Sequence, residues 1–186
     1  LTEYLYRHMD LKRVYYSSYI PVVASPVLPA KPAGLLREHR LYQADWLIRF
    51  YGFDVNEICG EGENLSTEYD PKCAWALKNM HLFPVEINTA PLEMLLRVPG
   101  IGAKSAYKIT EARRFCALDF DNLAKMRIVL KRAKHFITCK GKFYGAEGSA
   151  ARAALLIDEK SCTDENEQLS LFSNTENSLS ALTGEL

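Results

Sequence analysis

The segment Arg97–Ile109, RVPGIGAKSAYKI, sets two glycines two residues apart between an apolar run and a second helix-like run. That spacing predicts a short helix from about Pro91 to Arg97, a turn Val98, Pro99, Gly100, Ile101, Gly102, and a second helix from Ala103 to Phe115. Glycine permits positive φ and leaves no Cβ in the way of an approaching ligand. Ile101 between the glycines is expected to turn inward and pin the turn. Ala106 is small enough to let the two helices approach, and Ile109 continues that apolar face. The first amides of the second helix have no intrahelical partner and sit at the positive end of its dipole, which suits one oxyanion. The candidate anion-binding residues are therefore Gly100, Ile101, Gly102 and Ala103 through the main chain, with Lys104 and Lys108 beside them.

Charge is distributed to match. The 186 residues have a formal net charge of zero, yet Arg97 to Lys142 holds 12 Lys/Arg against 3 acids, whereas Ala146 to Leu186 holds 2 against 8. Such segregation describes a polyanion-binding module followed by an acidic tail. A second unit, FDNLAKMRIVLKRAKHFI, reads as a degenerate copy of the first: a short helix from Asn122, a turn at Arg127 to Leu130 and a basic helix from Lys131. Its turn lacks glycine, so its contribution is expected from the side chains of Lys131, Arg132 and Lys134 rather than from amides.

The rest of the chain predicts a mainly α fold. Lys12 to Val23, KRVYYSSYIPVV, reads as a strand that requires neighbours absent from this chain. Pro26, Pro29, Pro32 and Gly34 make an extended connector, so residues 1–34 form one unit and residues 35–145 a helical domain. Leu35 to Tyr51 has helical spacing with Gly52 placed to end it, and Trp46 and Phe50 are expected in the core. GEGENLSTEYD is an exposed loop; Asp70 then caps and Pro71 opens a helix to about Asn79, and a further short helix starts near Asn88 or Thr89. Residues 146–157 extend a helix, and residues 158–186, rich in Asp, Glu, Ser, Thr and Asn, are expected to be disordered. The five cysteines show no CxxC or CxxxCxxC spacing and the four histidines no HxxxH, which predicts reduced, mostly buried thiols and no zinc or iron-sulfur clip. No apolar run of about 18 residues occurs, and the first residues are charged, which predicts no membrane span and a cytoplasmic protein. The chain opens on Leu1 in strand-like sequence, as the C-terminal part of a longer protein would.

The glycine turn resembles the helix-hairpin-helix motif of DNA repair and replication proteins. The resemblance implies that amides near Gly100, Ile101, Gly102 and Lys104 hold a backbone phosphate without reading sequence, and that the carbonyls of Leu96, Val98 and Ile101 coordinate a monovalent cation. Together with LREHRLYQADWLIRFYGF, DPKCAWALKNMHLFPVEINTAP and VLKRAKHFITCKGKF, it makes most of residues 10 to 143 similar to the C-terminal region of the DNA modification/repair radical SAM proteins. In that family an N-terminal partial barrel carries an iron-sulfur cluster on a CxxxCxxC loop and cleaves S-adenosylmethionine. The strand Arg13 to Val22 would be the barrel's last strand. The resemblance assigns no catalytic residue and no cofactor to this chain; cluster and S-adenosylmethionine belong to the longer protein.

The leading expectation is thus sequence-independent DNA binding that brings a radical SAM enzyme to DNA. Two other readings stand beside it. One is a helix-hairpin-helix DNA glycosylase, for which Asp119 and Asp121 are the available carboxylates. The other is a protein-interaction module whose basic face binds an acidic partner. In the tail, QLSLF, Gln168, Leu169, Ser170, Leu171 and Phe172, resembles the pentapeptide that docks bacterial repair proteins on the DNA polymerase sliding clamp. Leu171 and Phe172 would each bring about 2 kcal/mol of apolar burial before ordering costs. Replacing both by alanine is expected to abolish retention on immobilised clamp; undiminished retention would remove the pentapeptide from the interface.

Overall fold

The computed structural model describes residues 2–23, 26–60, 62–145 and 148. The expected helical extension at 146–157, apart from Gly148, and the acidic tail with Gln168 to Phe172 lie outside the described residues. The fold is mainly helical, with eight α-helices and one short strand pair among the described residues.

Local signals set several helix ends. Helix α1 is Thr2–Met9, and α2, Leu35–Tyr51, ends where Gly52 takes φ +68° and its N–H bonds the Leu47 carbonyl. A left-handed residue closes the last turn, and glycine takes that conformation without a Cβ penalty. Helix α3, Val55–Ile58, starts in a reciprocal capping box between Asp54 and Glu57. In α4, Pro71–Lys78, the Asp70 carboxylate accepts from the Cys73 amide at 2.9 Å while Pro71 fills the first position, where no N–H is wanted.

The basic half of the chain is two helix-turn-helix units. Helices α5, Leu92–Arg97, and α6, Ala103–Ala112, form the first. The second is α7, Phe120–Lys125, and α8, Leu130–Ala133. The two turns match residue for residue. Gly100 has φ +88° and Arg127 φ +59°; the next residues, Ile101 and Ile128, are buried; Ala106 and Ala133 are fully buried at equivalent places in α6 and α8. Arg127 thus adopts the left-handed conformation without being glycine, at a cost of roughly 1 to 2 kcal/mol.

One core joins these parts. Phe53, Trp75, Phe83 and Phe136 form a chain of edge-to-face rings with centroids 5.1 to 6.3 Å apart. Beyond the second unit the chain returns to pair β2, Ile137–Thr138, in parallel with β1, Val85–Glu86. Both helical units are therefore enclosed between two hydrogen-bonded strands. Asn88 ties the entry to the second unit by exchanging bonds with both main-chain groups of Leu118, at 3.0 and 2.7 Å.

Three expectations are corrected here. The chain opens in helix α1, not in a strand. Arg13 to Val22 is extended without a ladder, because alternate amides bond to side chains instead: Val14 to the Tyr6 hydroxyl, Tyr16 to the Tyr42 hydroxyl and Ser18 to the Glu38 carboxylate, at 2.8 to 3.0 Å. Trp46 and Phe50 are not core residues; they are 52% and 51% exposed. Helix α2 turns Arg40, Ala44, Asp45 and Leu47 inward, so the face with Trp46 and Phe50 points out, where the two rings meet at 4.4 Å under the Arg49 guanidinium.

Gly100 is where the two units touch. A Cβ there would lie 3.0 Å from the Ala133 amide nitrogen and 3.2 Å from the Arg132 Cβ. Gly102, at φ −85°, has only the Tyr51 hydroxyl nearby, at 3.6 Å from an added Cβ. In urea unfolding, Gly100→Ala is expected to cost about 1 to 3 kcal/mol, whereas Gly102→Ala should stay within about 0.5 kcal/mol of the parent.

Candidate nucleic-acid interface

The first turn presents its amides unequally. Ile101 N–H donates back to the Val98 carbonyl at 3.1 Å, and Ala103 N–H donates to the Tyr51 hydroxyl at 3.3 Å. The amides of Gly100, Gly102, Lys104 and Ser105 have no acceptor among the described residues. Gly100 and Lys104 are exposed and Gly102 is partly exposed. The expected cluster of amides from Gly100 through Ala103 is therefore narrowed, since two of the four are engaged within the protein. Tyr51 compensates in part, because a hydroxyl that accepts from Ala103 keeps its own hydrogen for an outside acceptor. Ile101 is pinned in the core as its place in the sequence predicted.

Beneath the turn lies a residue that the motif did not reveal. Lys72, on α4, donates from Nζ to the Ile101 carbonyl at 2.6 Å, and its ammonium sits 4.8 Å from the centre of the Tyr51 ring. Burial pulls its pKa down from 10.5 to about 7, against the opposing pull of Asp70 and Cys73. Of the three carbonyls named for a monovalent cation, those of Leu96, Val98 and Ile101, two are already in use as hydrogen-bond acceptors. Val98 already accepts from Ile101, and Ile101 accepts from Lys72. A second unit charge about 4 Å from the ammonium would meet roughly 4 kcal/mol of repulsion at an effective dielectric near 20.

Many of the basic residues counted in the sequence are tied up inside the protein. Arg97 binds Glu57 at 3.0 Å and stacks on Phe53 and Trp75. Arg113 donates to the carbonyls of Ile87 and Ala90. Arg132, expected to reach phosphate, donates to the Asp70 carboxylate at 2.7 Å, and Lys140 lies 3.5 Å from Asp119. Lys104, Lys108 and Lys131 are exposed and Lys134 half-exposed, with no acidic partner among the described residues; Lys104 and Lys131 hold equivalent positions in the two units. Lys125 and Arg127 are exposed as well, although neither stood among the candidate phosphate contacts of the sequence. In the second turn Val129, 68% exposed, stands where the first has Gly102, so that position carries an isopropyl group instead of a bare Cα.

Asp119, a carboxylate of the glycosylase alternative, is the N-cap of α7. It accepts from the Asn122 amide at 2.8 Å, and this bond is the main reason its carboxyl is held below the usual range. Among the described residues no three His, Cys, Asp or Glu side chains come together as metal ligands, and no helix is long and apolar enough to cross a membrane. Cys73 and Cys139 are buried, Cys59 partly so and Cys116 exposed. Burial raises both buried thiols, that of Cys139 to about 12, which leaves them unreactive. No protein-family model, curated protein or solved structure matches the chain.

The depressed Lys72 pKa has a sign that can be measured. Between about 7 and 10.5 the unfolded chain binds more protons at this position than the native one, so the Lys72 contribution makes stability rise with pH over that window. The gap in urea midpoint between the parent and Lys72→Met should therefore shift in favour of the parent from pH 7 to 9, with Asp70, Cys73 and Tyr51 common to both proteins.

Proposed function

We propose that residues 35–145 bind the sugar-phosphate backbone of DNA without reading its sequence, and so bring the radical SAM modification or repair enzyme that the chain resembles to its substrate. One observation supports this reading above the others. The exposed start of α6 carries amides at Gly102, Lys104 and Ser105 that have no acceptor among the described residues, Gly102 has no Cβ to block approach, and Lys104 and Lys108, without an acidic partner among the described residues, lie on the same helix. Amides fixed at a helix N-terminus hold an anion by hydrogen bonding and by the helix dipole together, and neither depends on base identity. The second unit repeats the geometry but replaces the glycine with Val129; it contributes charge from Lys131, Lys134 and Arg127. The iron-sulfur cluster, S-adenosylmethionine and the sliding clamp remain parts of the proposal carried by resemblance, and no described residue is assigned to them.

The experiment is duplex binding by fluorescence anisotropy across a salt series. Affinity should fall steeply with salt, as counterion release requires, and Lys104→Gln or Lys131→Gln should each lower the log–log slope by about 1. Gly102→Val, which copies the second turn's Val129, should weaken binding while leaving the urea midpoint unchanged. Salt-independent binding, or a Gly102→Val variant of full affinity, would overturn the phosphate assignment.

A further inference from the structure

We infer that Lys72 is a built-in cation of the first turn: its ammonium holds the Ile101–Gly102 peptide unit and strengthens the Gly102 N–H as a phosphate donor, in the place of a free monovalent ion. The inference rests on the DNA-binding proposal for its phosphate, and on the turn's own geometry for the cation.

The geometry concerns a single peptide unit. Its carbonyl, on Ile101, accepts from the Lys72 ammonium at 2.6 Å; its N–H, on Gly102, has no acceptor among the described residues. A charge-assisted bond at the oxygen draws electron density along the amide and makes the hydrogen at the other end more positive, and such polarisation is strongest where water is scarce. Scarcity of water is provided by the surroundings. The Ile101 side chain is buried, the Tyr51 ring lies against the ammonium, and the aliphatic stem of Lys72 leaves α4 beside buried Pro71 and Cys73. Tyr51 is itself the acceptor for the Ala103 amide. Lys72 and Tyr51, from α4 and α2, thus brace consecutive peptide units at the start of α6, one from each side of Gly102.

A tethered ammonium differs from a bound ion in two respects. It cannot be exchanged, and its position is set by the folding of α4 rather than by solution composition. Asp70 limits its freedom at the other end of this contact network. That carboxylate caps α4 through the Cys73 amide and also accepts from Arg132 of α8 at 2.7 Å. The N-cap of α4, two residues before Lys72, thus reaches the second unit. The start of α4 is thereby anchored to both turns: to the first by Lys72 and to the second by Asp70.

The test compares potassium, sodium and tetramethylammonium chlorides at one ionic strength and at pH 6, where Lys72 holds its proton, the last ion being too large for a carbonyl cage. Wild-type affinity for a random-sequence duplex, and the melting temperature of the free protein, should each be the same in all three salts. In Lys72→Met, which keeps an apolar stem, duplex affinity should fall by roughly twofold to threefold, the change expected when the Gly102 N–H loses the polarisation supplied through its peptide unit. Its melting temperature should become higher in potassium than in tetramethylammonium, as the vacated carbonyl accepts an ion. A wild-type affinity or melting temperature that drops in tetramethylammonium overturns the inference, as does a Lys72→Met protein of wild-type affinity. Should Lys72→Met fail to fold, Lys72→Arg replaces it, with duplex affinity retained and no response to ion identity expected, and the wild-type salt series is decisive without either variant. If wild-type protein binds no duplex in any salt, the DNA proposal fails, while the melting series still judges Lys72.

Discussion

The left-handed backbone at Gly100 is the constraint on which the other features hang. It reverses the chain between α5 and α6, and in doing so brings the turn against the Ala133 amide of α8, where a Cβ would lie only 3.0 Å from the amide nitrogen. Because the reversal is fixed, Ile101 must point into the core, and Gly102 must then lie on the outer side, its N–H without an acceptor among the described residues. The same contact sets the spacing of the two units. Burial of Ile101, Ala106, Ile128 and Ala133 at matching places follows from two copies of one turn packed against each other.

Electrostatics in this fold is a matter of allocation. Arg97, Arg113 and Arg132 are used to hold loops and helix ends together, and the exposed set is mostly lysine. That division has a physical basis. A planar guanidinium satisfies several acceptors at fixed geometry and carries a weakly held hydration shell, so it is the better internal tie, while a strongly hydrated ammonium is favoured at the surface. Lys72 departs from this division. It is the lysine drawn inward to a carbonyl, and its lowered pKa reflects the cost of that position.

The helices and their ends were readable because the signals that make them are local. Asp70 and Pro71 at the start of α4, Gly52 after α2 and the run from Leu92 to Arg97 act through bonds spanning three or four residues. The strand expected at Arg13 to Val22 shows the limit. Its residues do favour extended backbone, but a strand exists only with a partner, and here side chains of Tyr6, Tyr42 and Glu38 take the amides. Trp46 and Phe50 show another limit. Helical spacing says which residues share a face, not which face meets the core.

The sequence alone determined the two helical units, the turn with Gly100 and Gly102, the inward course of Ile101 and the concentration of basic residues after Arg97. Backbone torsion, capping and apolar periodicity are properties of neighbours along the chain. Only the tertiary structure decided that Tyr51 and Lys72 brace that turn, that Arg132 is bound to Asp70, and that Lys125 and Arg127 face outward. Those outcomes depend on distances between residues far apart in sequence, which no local pattern encodes.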